Sequence, residues 1–164
     1  MCIRDRVGRE PKAELELLDA FLRKGIREIE VVRTRFPGVL LVKTPLLPLK
    51  ALEVARSMVM AYVRSVIPLE EVVKADIEAV VAACLHLAKG LLEPDRSFAV
   101  RCRRRGRCLP SSTEVEKIVG EALRKATGAS VDLEEPDLIF RIEVVDDIAG
   151  ICVERGRRRR QRAL

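Results

Sequence analysis

Stretches of helical spacing alternate with short apolar runs along the whole chain, and this alternation confines it to a mixed α/β fold. Pro11–Lys24 sets Ala13, Leu15, Leu17, Leu18, Phe21 and Leu22 at helical spacing, with Pro11 at its start and Gly25 as its stop. Ile29–Val32 and Val39–Val42 read as strands around a turn at Phe36-Pro37-Gly38. Leu46–Val66 carries a long helical period ended by Pro68, and Glu71–Val73 reads as a further strand of this first half. Asp76 is placed to cap a helix running to Lys89. Ser97–Cys102 alternates as a strand, Arg104–Pro110 reads as a loop, and Ser111 with Glu114 has the spacing of a capping box opening a helix that stops near Gly128. Three short strands are expected after it, at Ser130–Leu133, Leu138–Val144 and Ile148–Val153, with a hairpin turn at Asp146-Asp147.

The first half reads α-β-β-α-β, which is a ferredoxin-like order without its leading strand. That place is held by Cys2–Val7, a poor strand because Arg4, Asp5 and Arg6 fill its middle. The unit therefore lacks its first strand, or the start Met1–Val7 is not native; the second is the expectation. With 164 residues, two small domains are accommodated. The expected division is a ferredoxin-like unit over 1–66, a second α/β domain over 67–154, and a disordered arginine-rich tail over 155–164.

Composition narrows the class. Apolar residues are 48% and charged residues 34%, enough for a core. Aromatics are only 3% with no Trp, so that core must be aliphatic. No apolar run approaches the ~18 residues needed to span a bilayer, and no partnership with membrane is expected. The five cysteines (2, 84, 102, 108 and 152) form no C-x-x-C pair, so reduced thiols in a cytoplasmic protein are expected, with no metal. Cys84 and Cys152 are expected in the core, and Cys102 packing from a strand.

The net charge of +6 conceals its distribution. Six arginines lie in Arg96–Arg107 and six in Arg155–Arg162, both acid-free; removing these twelve leaves −6. A mildly acidic scaffold with two arginine clusters points to a polyanionic partner met at defined places.

The stretch Ser97–Glu114 is the most informative. Arg101, Arg103, Arg104, Arg105 and Arg107 fall within seven residues and are followed by Ser111 and Ser112 at a helix N-terminus. Guanidinium forks suit phosphate oxygens, and a helix N-terminus adds free N–H groups and a positive dipole end. These seven residues are the candidate phosphate-binding set. Few aromatics are available for stacking, so recognition of a polyanion is expected to rest on backbone shape and charge.

At these residues the sequence resembles the THUMP domain. The run Ser97-Phe98-Ala99-Val100-Arg101-Cys102-Arg103-Arg104-Arg105-Gly106, then Ser111-Ser112-x-Glu114-Val115-Glu116-x-Ile118-Val119-Gly120, is similar to that family's core. Val131-Asp132-Leu133-Glu134-Glu135-Pro136-Asp137 and the two strands after it are similar to its closing segment, so the resemblance covers roughly residues 67–153. It implies an RNA-binding module behind a ferredoxin-like unit, recognising the acceptor stem and 3′ end of tRNA. Gly8-Arg9-Glu10-x-x-Ala13-x-Leu15-Glu16-Leu17-Leu18-Asp19, with Phe36-Pro37-Gly38-Val39-Leu40, is similar to the stand-alone THUMP proteins that assist tRNA cytidine acetylation. That resemblance implies a non-catalytic adaptor presenting tRNA to the acetyltransferase that makes N4-acetylcytidine. The alternatives are a detached subunit of another tRNA-modifying enzyme, such as a methyltransferase or thiolation enzyme, and a general RNA-binding protein. The tail, outside the resemblance, is expected to add affinity for any RNA.

Catalytic readings find little support. Asp132, Glu134, Glu135 and Asp137 read as a structural turn set by Pro136, and Glu70-Glu71 and Asp146-Asp147 as surface or turn acids. His86 reads as a helix-surface residue, and no triad motif surrounds Ser111. Neither G-x-x-x-x-G-K-[ST] nor G-x-G-x-x-G occurs, so no cofactor is expected and catalysis is expected to lie elsewhere.

Overall fold

The computed structural model describes residues 1–5 and 7–156 and divides the chain into two units, Met1–Leu69 and Glu70–Leu164. The expected tail residues 157–164 lie outside the described residues.

The first unit runs β1 (Cys2–Asp5), α1 (Glu10–Arg23), β2 (Glu30–Arg33), β3 (Val39–Lys43), α2 (Pro48–Arg56) and β4 (Val63–Ile67). Its sheet has the order β2-β3-β1-β4, antiparallel throughout. This is the complete ferredoxin-like arrangement, and Cys2–Asp5, read in the sequence as a poor strand, supplies its leading strand. Cys2–Asp5 is a central strand, paired through Cys2↔Leu41 on one side and Cys2↔Ile67 on the other. Pairing on both sides and burial of Cys2 and Ile3 outweigh the charged composition. Arg4 is accommodated by donating from Nε to Ser65 Oγ at 2.9 Å.

A correction concerns Leu46–Val66. The helix stops at Arg56, and Val63–Ile67 is the strand that pairs with β1. The β-branched Val63, Val66 and Ile67 suit a pleated surface, and the place beside β1 decides the conformation. Ile3, Leu17, Leu40 and Val42 form one buried cluster, and Ala20, Phe21, Ala51 and Ala55 a second.

Asp5 carries the cost of the central strand. It is 6% exposed, and neither carboxylate oxygen has a hydrogen-bond partner among the described residues. Burial, and then the charge of Glu10, push its carboxyl above the usual range. A raised folded-state value means that the ionised form opposes folding at neutral pH and that protonation relieves it. Asp5→Asn is therefore expected to raise the melting temperature at pH 7 by about 2–4 °C. That gain should shrink as pH falls through the raised value and vanish below the ordinary carboxylate range. Thermal melts of both proteins from pH 7 to pH 3 check this.

The second unit runs β5 (Glu71–Lys74), α3 (Ile77–Ala88), β6 (Ser97–Arg105), α4 (Ser112–Thr127), β7 (Ser130–Val131), β8 (Leu138–Val145) and β9 (Ile148–Arg155). Its sheet order is β5-β9-β8-β6-β7. Strand β6 is parallel to β7 and β8, while β9 is antiparallel to β8 and β5. The strand at Glu71 thus belongs to this sheet, not to the first half: Val72 pairs with Gly150. The β7 strand is two residues long, shorter than Ser130–Leu133. Asp132 ends it by accepting the N–H groups of Glu134 and Glu135 on Oδ1, which hold its carboxyl below the usual range.

Asp76 caps α3 by accepting from the N–H groups of Glu78 and Ala79, and Ser111 caps α4 by accepting from that of Glu114. Both helices cover one sheet face, where Val80, Cys84, Val115, Val119 and Leu123 pack against Phe98, Phe140, Ile142 and Ile151. Phe98 and Phe140 meet edge to face with centroids 6.1 Å apart. No helix among the described residues is long and apolar enough to cross a membrane.

Candidate nucleic-acid interface

Strand β6 extends three residues beyond its expected end because its parallel pairing with β8 continues through Arg103↔Glu143 to Arg105↔Val145. Arg104 and Arg105 are therefore strand residues rather than loop residues, and only Gly106–Pro110 remain as the connection to α4. Strand periodicity then divides the arginines. Cys102 and Arg104 follow Phe98 and Val100 on the helix-covered face, while Arg101, Arg103 and Arg105 project on the other.

Their partners divide them further. Arg105 is committed to Glu143: Nη1 to Oε2 is 3.1 Å, with side-chain exposures of 13% and 1%. Its guanidinium is thus held by an internal carboxylate, unlike those of the other arginines in the candidate set. Arg101 donates to the carbonyl of Leu133, and Arg104 reaches forward to the carbonyl of Gly106. Arg103 and Arg107 are exposed and have no ion-pair partner among the described residues.

Helix α4 brings its N-terminus to the end of β6. The Ser111 hydroxyl is occupied by the N–H of Glu114 at 3.2 Å, and Ser112 hydrogen-bonds the Cys102 thiol. The two serine hydroxyls are thus engaged within the fold, and the first-turn amides of Ser112 and Thr113 are among those a helix leaves without an intrahelical partner. Burial pushes the Cys102 thiol up to about 11 and those of Cys84 and Cys152 up to about 12, so none is a thiolate at neutral pH. Elsewhere, His86 Nδ1 lies 2.7 Å from Glu71 Oε1 on the surface of α3. Asp137 Oδ2 accepts from the N–H and Oγ of Ser97.

The turn that presents Arg107 depends on Gly106. Its φ is +103°, and an added Cβ would sit 3.1 Å from Asp146 Cα in the β8–β9 hairpin. That approach is fixed by the Asp146 N–H donating to the Arg105 carbonyl at 2.9 Å. Gly106→Ala is expected to cost about 1–3 kcal/mol and to displace Arg107. Chemical denaturation would measure the first effect and RNA titration the second.

A groove of about 500 Å³ adjoins the helix start. It opens because β7 pairs only with Ser97 and Phe98 and leaves the rest of the β6 edge uncovered on that side. Phe98 and Val100 form its floor, Lys117 and Gly120 one wall, and Val131 and Leu133 the other. Glu116 closes part of the edge by accepting the Cys102 N–H on Oε1 at 2.7 Å. These residues were missed in the sequence because they belong to three elements. Gly120, a glycine within a strong amphipathic helix, was their one visible signal.

Residues 74–154 match the THUMP domain family. A tRNA sulfurtransferase of Pseudomonas syringae pv. syringae is 48% identical over 73 residues, which are 43% of this chain and 15% of that protein. This chain therefore spans only a small part of that relative's length. The crystal structure of PH1313 from Pyrococcus horikoshii shares the fold, with a TM-score of 0.78 and 23% identity over 95% of this chain and 55% of that one. TrmN from Thermus thermophilus aligns at a TM-score of 0.60 and 26% identity, over 94% and 46%.

Proposed function

Because residues 74–154 form a THUMP domain, we propose that this protein binds tRNA through the end of β6 and presents its acceptor stem and 3′ end to a modification enzyme. The observation that carries this is that Arg103 and Arg107, exposed and with no ion-pair partner among the described residues, lie at the end of β6 that leads through Gly106–Pro110 into the N-terminus of α4, which adjoins an apolar groove. Phosphates meet the guanidinium groups and the α4 amides, and the groove accepts an unstacked terminal base with Lys117 at its rim. Phe98 is fully buried and offers no exposed ring to stack on, so contact with the base is shallow and backbone charge dominates.

The partner we propose is the acetyltransferase that forms N4-acetylcytidine, with this chain as a non-catalytic adaptor. Its resemblance to the stand-alone THUMP proteins supports that choice. Adding the protein to a purified acetyltransferase and tRNA is expected to raise the yield of N4-acetylcytidine several-fold, and an unchanged yield would remove this partner. The 48% identity to a tRNA sulfurtransferase favours a second reading, in which the module serves thiolation. Competition of tRNA against unstructured RNA tests both, since equal affinity would leave only general RNA binding.

A further inference from the structure

The run Arg96–Arg107 extends from just before β6 to just beyond it, so its first and last arginines lie at opposite ends of the second sheet. Strand β9 ends at Arg155, which pairs with Leu138 at the start of β8, and Phe98 beside Leu138 is near the start of β6. Arg155 is thus a strand residue, which corrects its assignment to the tail, and it comes together with Arg96. These two arginines flank a cavity of about 350 Å³. Both are exposed, and neither has an ion-pair partner among the described residues. The carboxylate lining the cavity is Asp137, already engaged by the N–H and hydroxyl of Ser97 at 3.0 and 3.3 Å. Five more arginines follow in sequence, at 157–160 and 162.

From Ser97 to Arg105, eight strand steps of about 3.3 Å give a separation of about 26 Å. No single phosphate reaches both ends. We propose that the Arg96–Arg155 cavity is a second phosphodiester site, which holds the body of an RNA whose end lies at α4. The proposal rests on the RNA-binding reading above and adds a length requirement: both sites fill together only on an RNA that extends about 26 Å along the sheet. The acid-free run Arg96–Arg107 is therefore not one patch. Its first arginine works with Arg155, while Arg103 and Arg107 work with the helix.

Salt titration of the full chain with deacylated tRNA separates the outcomes. Each phosphate contact adds about 0.7–0.9 to the slope of log K against log salt. Arg96→Ala/Arg155→Ala removes the one phosphodiester the cavity holds and is expected to lower that slope by about 0.7–0.9. Between 50 and 200 mM salt, its affinity should fall roughly threefold less than the parent's. Both positions are exposed, so an unchanged melting temperature accompanies this result. A parental slope in this variant, with a reduced slope in Arg103→Ala/Arg107→Ala, would overturn the second site and leave the first reading intact. Parental slopes in both variants would overturn the two together.

Discussion

Arg105→Ala is expected to destabilise the second unit by about 3–5 kcal/mol, the cost of leaving a buried charge without its partner. Glu143 is 2% exposed, and its Oε2 lies 3.1 Å from Arg105 Nη1. Removing the guanidinium strands the carboxylate in a sheet whose flanking Val144 and Val145 are also buried. Removing both charges together should cost much less than removing one, because the desolvation penalty disappears with the pair. Arg105→Met/Glu143→Leu is the appropriate double variant, and urea unfolding of the two single variants and the double completes the cycle. A cost near zero for Arg105→Ala would show that Glu143 has another source of compensation. The result also governs how binding data are read: lost RNA affinity in an Arg105 variant reports a damaged sheet, not a missing phosphate contact.

Arg103→Glu/Arg107→Glu is expected to weaken tRNA binding about 100-fold or more at 50 mM salt while leaving the melting temperature close to the parent's. On the proposed site each reversal removes one phosphate contact and adds a repelling charge, and both side chains are exposed with no ion pair among the described residues to lose. The slope of log K against log salt should fall by about 1.4–1.8 or more. Filter binding of deacylated tRNA across a salt series measures both quantities. Retained parental affinity would place the RNA elsewhere on the chain.

Much of the second unit was legible from local signals. Asp76 and Ser111 sit one residue before α3 and α4 because a short polar side chain there satisfies helix amides whatever packs nearby. The hairpin at Asp146-Asp147 was legible for a similar reason: Asp146 adopts φ +59°, a conformation that aspartate tolerates. The first unit was less legible. Cys2–Asp5 looks polar, and Val63–Ile67 continues a helical period, yet both are strands. Cys2–Asp5 occupies the place between β3 and β4, and Val63–Ile67 the place beside β1, and no local window contains that information.

The candidate site divides along the same line. The sequence by itself determined that arginines and a capped helix start fall together, because the eighteen residues 97–114 place a strand end against a helix beginning. It also determined the two-cluster charge distribution. Only the tertiary structure decided which arginines are available. Arg103 and Arg105 share one face of β6, yet Arg105 meets Glu143, 38 residues away in sequence, while Arg103 stays in solvent. The return of β9 sets Arg155 beside Arg96 and away from Arg107. Charge is carried by composition, but whether a charge is spent within the fold or offered to a ligand depends on which distant side chain the folded sheet brings within its reach.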